Sequence, residues 1–261
     1  MVDGYTERER PRRRGRRLLT VLLVLLVLLA VVLVVADRVG SSYAEQRIAG
    51  QVVAQLANRG VRAAPPDVSV TGVPFLTQVL AGDYELIRVR LRDLTSDNGE
   101  MLPKGLQVKR LDVDARNVAA PIRALRTGQG DIVARAVQGT AVIDYANVAK
   151  LTNQPGMTLS ERNGQLAVTA PLELLGQKLT VNGTAELKVV KGQVQVRFRE
   201  LTAEGLPALP AAQRLVNAYA EQLAVDVPLE NLPFGLVVRD VKAQPDGLVL
   251  TATAENVPLN G

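Results

Sequence analysis

The sequence predicts an α+β protein, with an N-terminal transmembrane helix followed by a mainly antiparallel, elongated β-sheet or barrel-like domain wrapped around two amphipathic helices. Three observations predict it. Leu18–Ala36 is a run of nineteen residues in which only Thr20 is not Leu, Val or Ala. Two later stretches repeat apolar residues at helical spacing. Most of the remainder alternates apolar and polar side chains with the period of two that belongs to a strand with one wet face.

Seven arginines from Arg8 to Arg17 lead directly into the apolar run. At the helical rise this run makes a rod about 28 Å long, close to the thickness of bilayer hydrocarbon, and a helix satisfies its own backbone there. Because basic flanks stay on the cytoplasmic side, the expected division is a cytoplasmic basic tail over 1–17, a transmembrane anchor over 18–36 and an extracytoplasmic domain over 37–261. The expected place is the cell membrane, crossed once. A cleaved signal sequence is the competing reading, since Val34 and Ala36 are small enough for a cleavage site, and it would release the domain. The length of the run exceeds the usual h-region and favours the retained anchor.

The chain carries a formal net charge of +5. Residues 1–17 hold seven Arg against Asp3, Glu7 and Glu9, which leaves 24 basic and 23 acidic residues for the rest. The exported part is therefore nearly neutral, and a nucleic-acid partner is not expected. With no His and no Cys, the commonest general base, the thiolate nucleophile and the usual transition-metal ligands are missing, so neither an enzyme nor a metal or other cofactor is expected. Asp112 and Asp114 could share one strand face, as paired glycosidase carboxylates must share a cleft. Lys109, Arg110 and Arg116 around them favour a solvated charged face instead.

In chain order, Ser42-Tyr-Ala-Glu45 has capping-box spacing and Gly60 suits a C-terminal cap, which predicts a helix between them with Ala44, Ile48, Val52 and Leu56 on its apolar side. Pro65-Pro66 stops it, and Val68–Val70 starts a short strand. Gly72 to Gly82 forms an apolar turn with Phe75 as a plug. From Tyr84 to Leu94, Ile87, Val89 and Leu91 alternate with Arg88, Arg90 and Arg92.

Leu106–Ala115 changes phase at Lys109-Arg110, which predicts a bulge, and Ile132–Ile143 leads to a short helix capped by Asp144. Asn163-Gly164 predicts a hairpin, and Leu179–Val189 pairs with Val194–Phe198 across Lys191-Gly192. A second amphipathic helix begins at Pro210, and two strands flanking Pro245-Asp246-Gly247 finish the chain. Helix, short strand or turn, a Pro-Phe element and long strands thus occur in the same order from Ser42 to Leu94 and from Pro210 to Glu255.

Three stretches carry a family resemblance. They are Gly72-Val-Pro-Phe-Leu-Thr-Gln-Val-Leu-Ala-Gly82 with its arginine-alternating strand, Val137-Gln-Gly-Thr-Ala-Val-Ile-Asp-Tyr-Ala-Asn147, and Leu232-Pro-Phe-Gly-Leu236 through Pro245-Asp-Gly-Leu-Val-Leu250 to Val257-Pro-Leu259. From about Tyr43 to Leu259 the chain resembles the LmeA family of actinobacterial phospholipid-binding proteins. The resemblance implies an exported, elongated, mostly β fold enclosing a hydrophobic cavity, similar to tubular lipid-binding proteins, with a role in envelope lipomannan elongation for its best-known member. No catalytic motif comes with it.

The expected function is accordingly that of a membrane-anchored extracytoplasmic protein that holds the acyl chains of a phospholipid or glycolipid in an apolar cavity and supports cell-envelope glycolipid assembly. The residues expected to line that cavity are Phe75, Leu76, Leu80, Ile87, Val89, Leu91, Leu215, Tyr219, Leu223, Phe234 and Leu236. The alternative is a non-catalytic scaffolding subunit of an envelope complex, with a filled core and a functional outer surface.

Overall fold

The computed structural model describes residues 13–96, 106–127, 130–152, 154–174, 177–190, 192–203, 214, 218, 220–221, 224–228, 232 and 235–259. A single helix, α1 (Arg13–Asn58), carries 46 residues and has the reach to cross a membrane and continue into the domain. The large apolar side chains from Val21 to Val35 stand free of the rest of the protein, each 52–63% exposed.

The capping box at Ser42 does not begin a helix, because α1 runs through it without a break. Asp37 to Ser42 contains no proline, and one glycine, Gly40, costs a helix only about 1 kcal/mol. Glu45 turns outward from its own helix and accepts the Val70 N–H at 3.1 Å. The expected stripe is present, with Ala44, Ile48, Val52 and Leu56 all half-buried. The helix ends where expected, with Gly60 in the left-handed region at φ 66°.

The remaining elements are β1 (Val61–Arg62), β2 (Asp67–Thr71), α2 (Phe75–Ala81), β3 (Asp83–Ser96), β4 (Gln107–Ala119), α3 (Ile122–Thr127), β5 (Val133–Ile143), α4 (Tyr145–Leu151), β6 (Thr158–Arg162), β7 (Gln165–Leu174), β8 (Gln177–Val190), β9 (Gln193–Ala203), β10 (Val225–Pro228), β11 (Val237–Gln244) and β12 (Gly247–Pro258). Residues 214, 218, 220 and 221, within the second expected helix, are helical.

Among the described residues the strands make two open antiparallel sheets and do not close into a barrel. The larger follows the order β1-β3-β4-β5-β12-β11 with β2 also paired to β3, and the smaller follows β10-β9-β8-β7-β6. The hairpin between β6 and β7 turns at Asn163 and Gly164, with φ 54° and 76°, as a two-residue turn with both central φ values positive.

The phase change at Lys109-Arg110 is not a bulge. The β3–β4 ladder keeps one register from Asp83 opposite Ala119 to Thr95 opposite Gln107. The change is absorbed by Asp93 on the facing strand, at φ 54°, a conformation that Asp and Asn tolerate better than most residues. Register does shift at Arg239 in β11 and beside Gly183 in β8.

A second phase step crosses four strands in line. The registers carry Glu85 opposite Asn117, Asn117 opposite Arg135 and Arg135 opposite Asn256, and both asparagines are left-handed, at φ 49° and 52°. β4 and β5 there place their next buried residue three positions on, from Ala115 to Val118 and from Ala134 to Val137.

Three buried clusters follow. One joins the smaller sheet to β11 and β12 through Phe198, Leu201, Val238 and Leu248. A second gathers Phe75, Tyr84, Val118, Ala134 and Val257, with Ala44 of α1 packed on it. A third gathers Val61, Leu91, Leu94, Val108 and Ile143, with Val52 and Leu56 of α1 packed on it. The long axis of the larger sheet therefore lies along α1, with the Phe75 cluster nearer the apolar span.

Candidate functional site: an apolar face between three cores

Strand register assembles what the sequence keeps apart. Three rows run across one face of the larger sheet: Ile87, Ala115, Val137 and Ala254; Val89, Val113, Gly139 and Ala252; and Leu91, Leu111, Ala141 and Leu250. On β3 and the near half of β4 the side chains are branched, whereas β5 and β12 contribute Gly139, Ala141, Ala252 and Ala254. Small residues on adjacent strands lower the sheet surface locally beside the branched ones, and Leu236 packs over Gly139 in the middle row.

This face is apolar yet incompletely filled. Of the twelve row residues, Ile87, Val89, Leu111, Val113, Ala141, Leu250 and Ala254 are half-buried and Leu91, Ala115, Val137, Gly139 and Ala252 are buried, as are Tyr84 and Val118 beyond one end and Leu94 and Val108 beyond the other. Protein interiors pack as densely as organic crystals, and the branched side chains Ile87, Val89, Leu111 and Val113 are covered less completely than that. Instead the three clusters meet at half-buried side chains, with Leu236 shared between the first and second and Leu250 between the first and third.

The expected lining residues divide in the structure. Ile87 and Val89 lie in the middle of the face, Leu91 is buried at its edge in the third cluster, and Leu236 packs over the row that contains Gly139. Phe75 is buried against Tyr84, their ring centroids 6.2 Å apart, and closes the end nearer the span. Leu76 and Leu80 sit on α2, away from the rows, with Leu76 half-buried against α1 and Leu80 81% exposed. Leu215, Tyr219, Leu223 and Phe234 lie outside the described residues. Sequence reasoning missed Val113, Gly139, Ala141, Leu250 and Ala254. The available signal was the run of Ala and Gly at alternate positions in two strands that otherwise favour larger side chains.

The sequence profile of the LmeA-like phospholipid-binding family matches residues 35–253, most of the chain. This chain belongs to the LmeA-like phospholipid-binding family. No curated protein and no solved structure gives a significant match. The family match begins two residues before Asp37 and takes in every residue of the three rows except Ala254 in this LmeA-like chain.

On the opposite face of the same strands, this member of the LmeA-like family carries a ladder of ion pairs. Arg88 Nε donates to Asp114 Oδ1 at 2.9 Å, and Arg116 lies 4.0 Å from the same carboxylate. Asp112 is flanked by Arg110 at 3.1 Å and Arg90 at 3.5 Å. The hydrogen bond to Asp114 and its charge hold the Arg88 guanidinium above its ordinary value. Each carboxylate is half-buried and flanked by two arginines, on the charged sheet face the sequence favours.

Two larger open hollows lie off the apolar face. One of about 530 Å³ is walled by α4 and the 154–159 turn, with Lys150 and Met157 on its rim. The other, of about 500 Å³, is mainly polar and lies against the phase step, between α2, Glu85, Asn117 and Arg135. Neither shares a residue with the three rows.

Proposed function

We propose that this chain is a single-pass, extracytoplasmic lipid-binding protein that holds phospholipid acyl chains in the trough between β3, β4, β5 and β12. The carrying observation is the half-buried apolar face between three separately buried clusters, in a chain of the LmeA-like phospholipid-binding family. Burial of each methylene contributes about 0.8 kcal/mol, so a few turns of acyl chain in the trough supply micromolar affinity without any bond being made or broken.

The arginine-rich flank of the apolar helix supports a cytoplasmic N-terminus and an outward-facing domain. In this reading the carried lipid is a phospholipid or a glycolipid intermediate of envelope assembly, and the protein acts as a carrier without catalysis.

The test is native mass spectrometry of residues 37–261, exported and purified without detergent, followed by organic extraction. The reading requires a stoichiometric phospholipid or glycolipid on the protein. Bare polypeptide mass together with failure to load added phospholipid would overturn it and leave the scaffolding alternative.

A further inference from the structure

Outside α1, the strongly exposed large apolar side chains among the described residues are Val73, Leu80, Ile122, Val190 and Val237. Three of these five lie at one pole of the domain. Val73 precedes α2, Leu80 is in its last turn, and Ile122 opens α3.

The end of α2 and the start of α3 are held together. The Ala120 N–H donates to the Gly82 carbonyl at 2.7 Å, and a Cβ on Gly82 would lie 3.0 Å from the Pro121 Cα. The same pole is fastened to α1 immediately past its apolar run. Asp37, buried, accepts the Leu76 N–H at 2.8 Å, and a Cβ on Gly40 would touch the Phe75 ring and the Leu76 side chain, at 3.5 and 3.7 Å.

Direction along α1 follows from its contacts. Leu56 and Val52 pack on the far cluster, Ala44 on the near one, Glu45 holds Val70, and Asp37 holds Leu76. From Val70 to Leu76 the chain descends along α1 toward Ala36, so α2 sits at the level where the apolar run ends. Leu80 follows Leu76 by four residues and shares its side of α2. Arg38, exposed one residue past Asp37, adds a cation at that level.

We propose that Val73, Leu80 and Ile122 form a seat that rests in the headgroup and acyl boundary of the bilayer that α1 spans, on the leaflet from which the domain emerges. The seat rests on the anchor reading above. Its occupant is lipid, because the patch is continuous with the span and is fixed to it through Asp37 and Gly40. Seating holds the sheet upright on the membrane, with the strands and the trough aligned along the bilayer normal.

The chain has no tryptophan, so single tryptophans report position without background. Full-length Leu80→Trp, Ile122→Trp, Val190→Trp and Leu28→Trp variants would be reconstituted in phosphatidylcholine–phosphatidylglycerol vesicles, with and without doxyl-labelled phospholipid, its label shallow for the first three and deep in the acyl chain for Leu28→Trp. Leu80→Trp and Ile122→Trp should shift to the blue and lose most of their emission to the doxyl lipid, while Val190→Trp keeps its own. If Leu28→Trp is quenched but Leu80→Trp and Ile122→Trp remain unquenched and red-emitting, the seat is wrong and the anchor stands. If Leu28→Trp is also unquenched, the anchor reading fails and the seat fails with it.

Discussion

A Cβ added to Gly139 would stand 3.8 Å from Leu236 Cδ1, an ordinary van der Waals contact, so Leu236 lies over the middle of β5 with room for one carbon beneath it. Gly139→Ala should therefore bind lipid almost as the parent does. Gly139→Leu should fill the trough and lose most of the bound phospholipid by extraction and mass analysis, without a lower thermal midpoint. If the region were an ordinary filled core, Gly139→Leu would be overpacked and lose about 1–3 kcal/mol of stability.

Asp37 supplies the acceptor for the Leu76 N–H from an otherwise apolar neighbourhood. In Asp37→Ala that amide loses its partner, at a cost of about 1–3 kcal/mol. Hydrogen exchange in α2 should speed up by about tenfold or more, while exchange in β7 and β8 stays unchanged. Unaltered exchange at Leu76 would show that the contact does not hold α2 to the helix.

The charged face predicts a small effect. Asp112→Asn and Asp114→Asn each remove one partner of exposed arginine pairs, and such pairs contribute about 0.2–1 kcal/mol. Denaturant unfolding should move by no more than that, and lipid loading should not change. Loss of loading in either variant would place function on the arginine face.

Burial pushes the Tyr84 phenol above its usual value, because the folded protein disfavours the phenolate. The folded pKa lies above the unfolded one, so the associated stability is complete below pH about 10 and is lost as pH rises through the folded value. In a tyrosinate absorbance titration of the native protein, the component removed by Tyr84→Phe should lie above pH about 10. A Tyr84 component that titrates at or below the ordinary value would contradict the packing of the Phe75 cluster.

Much of this architecture was legible from period alone. Ile87, Val89 and Leu91 between arginines, the Asn163-Gly164 turn and the Ala44–Leu56 stripe each follow from local chemistry, and the structure contains them. Ser42 misled because a capping box is a local signal, and a helix already running from the apolar segment overrides it. The Lys109-Arg110 step was visible, but its resolution depended on Asp93 in another strand. The three cross-strand rows were least legible of all. Alternation reports which face is apolar but not how side-chain sizes line up across strands, and Gly139 becomes a neighbour of Val113 and Ala252 only once the register is set.

The most direct test of the trough is photo-crosslinking with a phospholipid that carries a diazirine in its acyl chain, bound to the native protein and mapped by peptide mass spectrometry. The account predicts adducts within 87–91, 111–115, 137–141 and 250–254. Efficient adducts confined to β6 through β9, with none on those four segments, would contradict it.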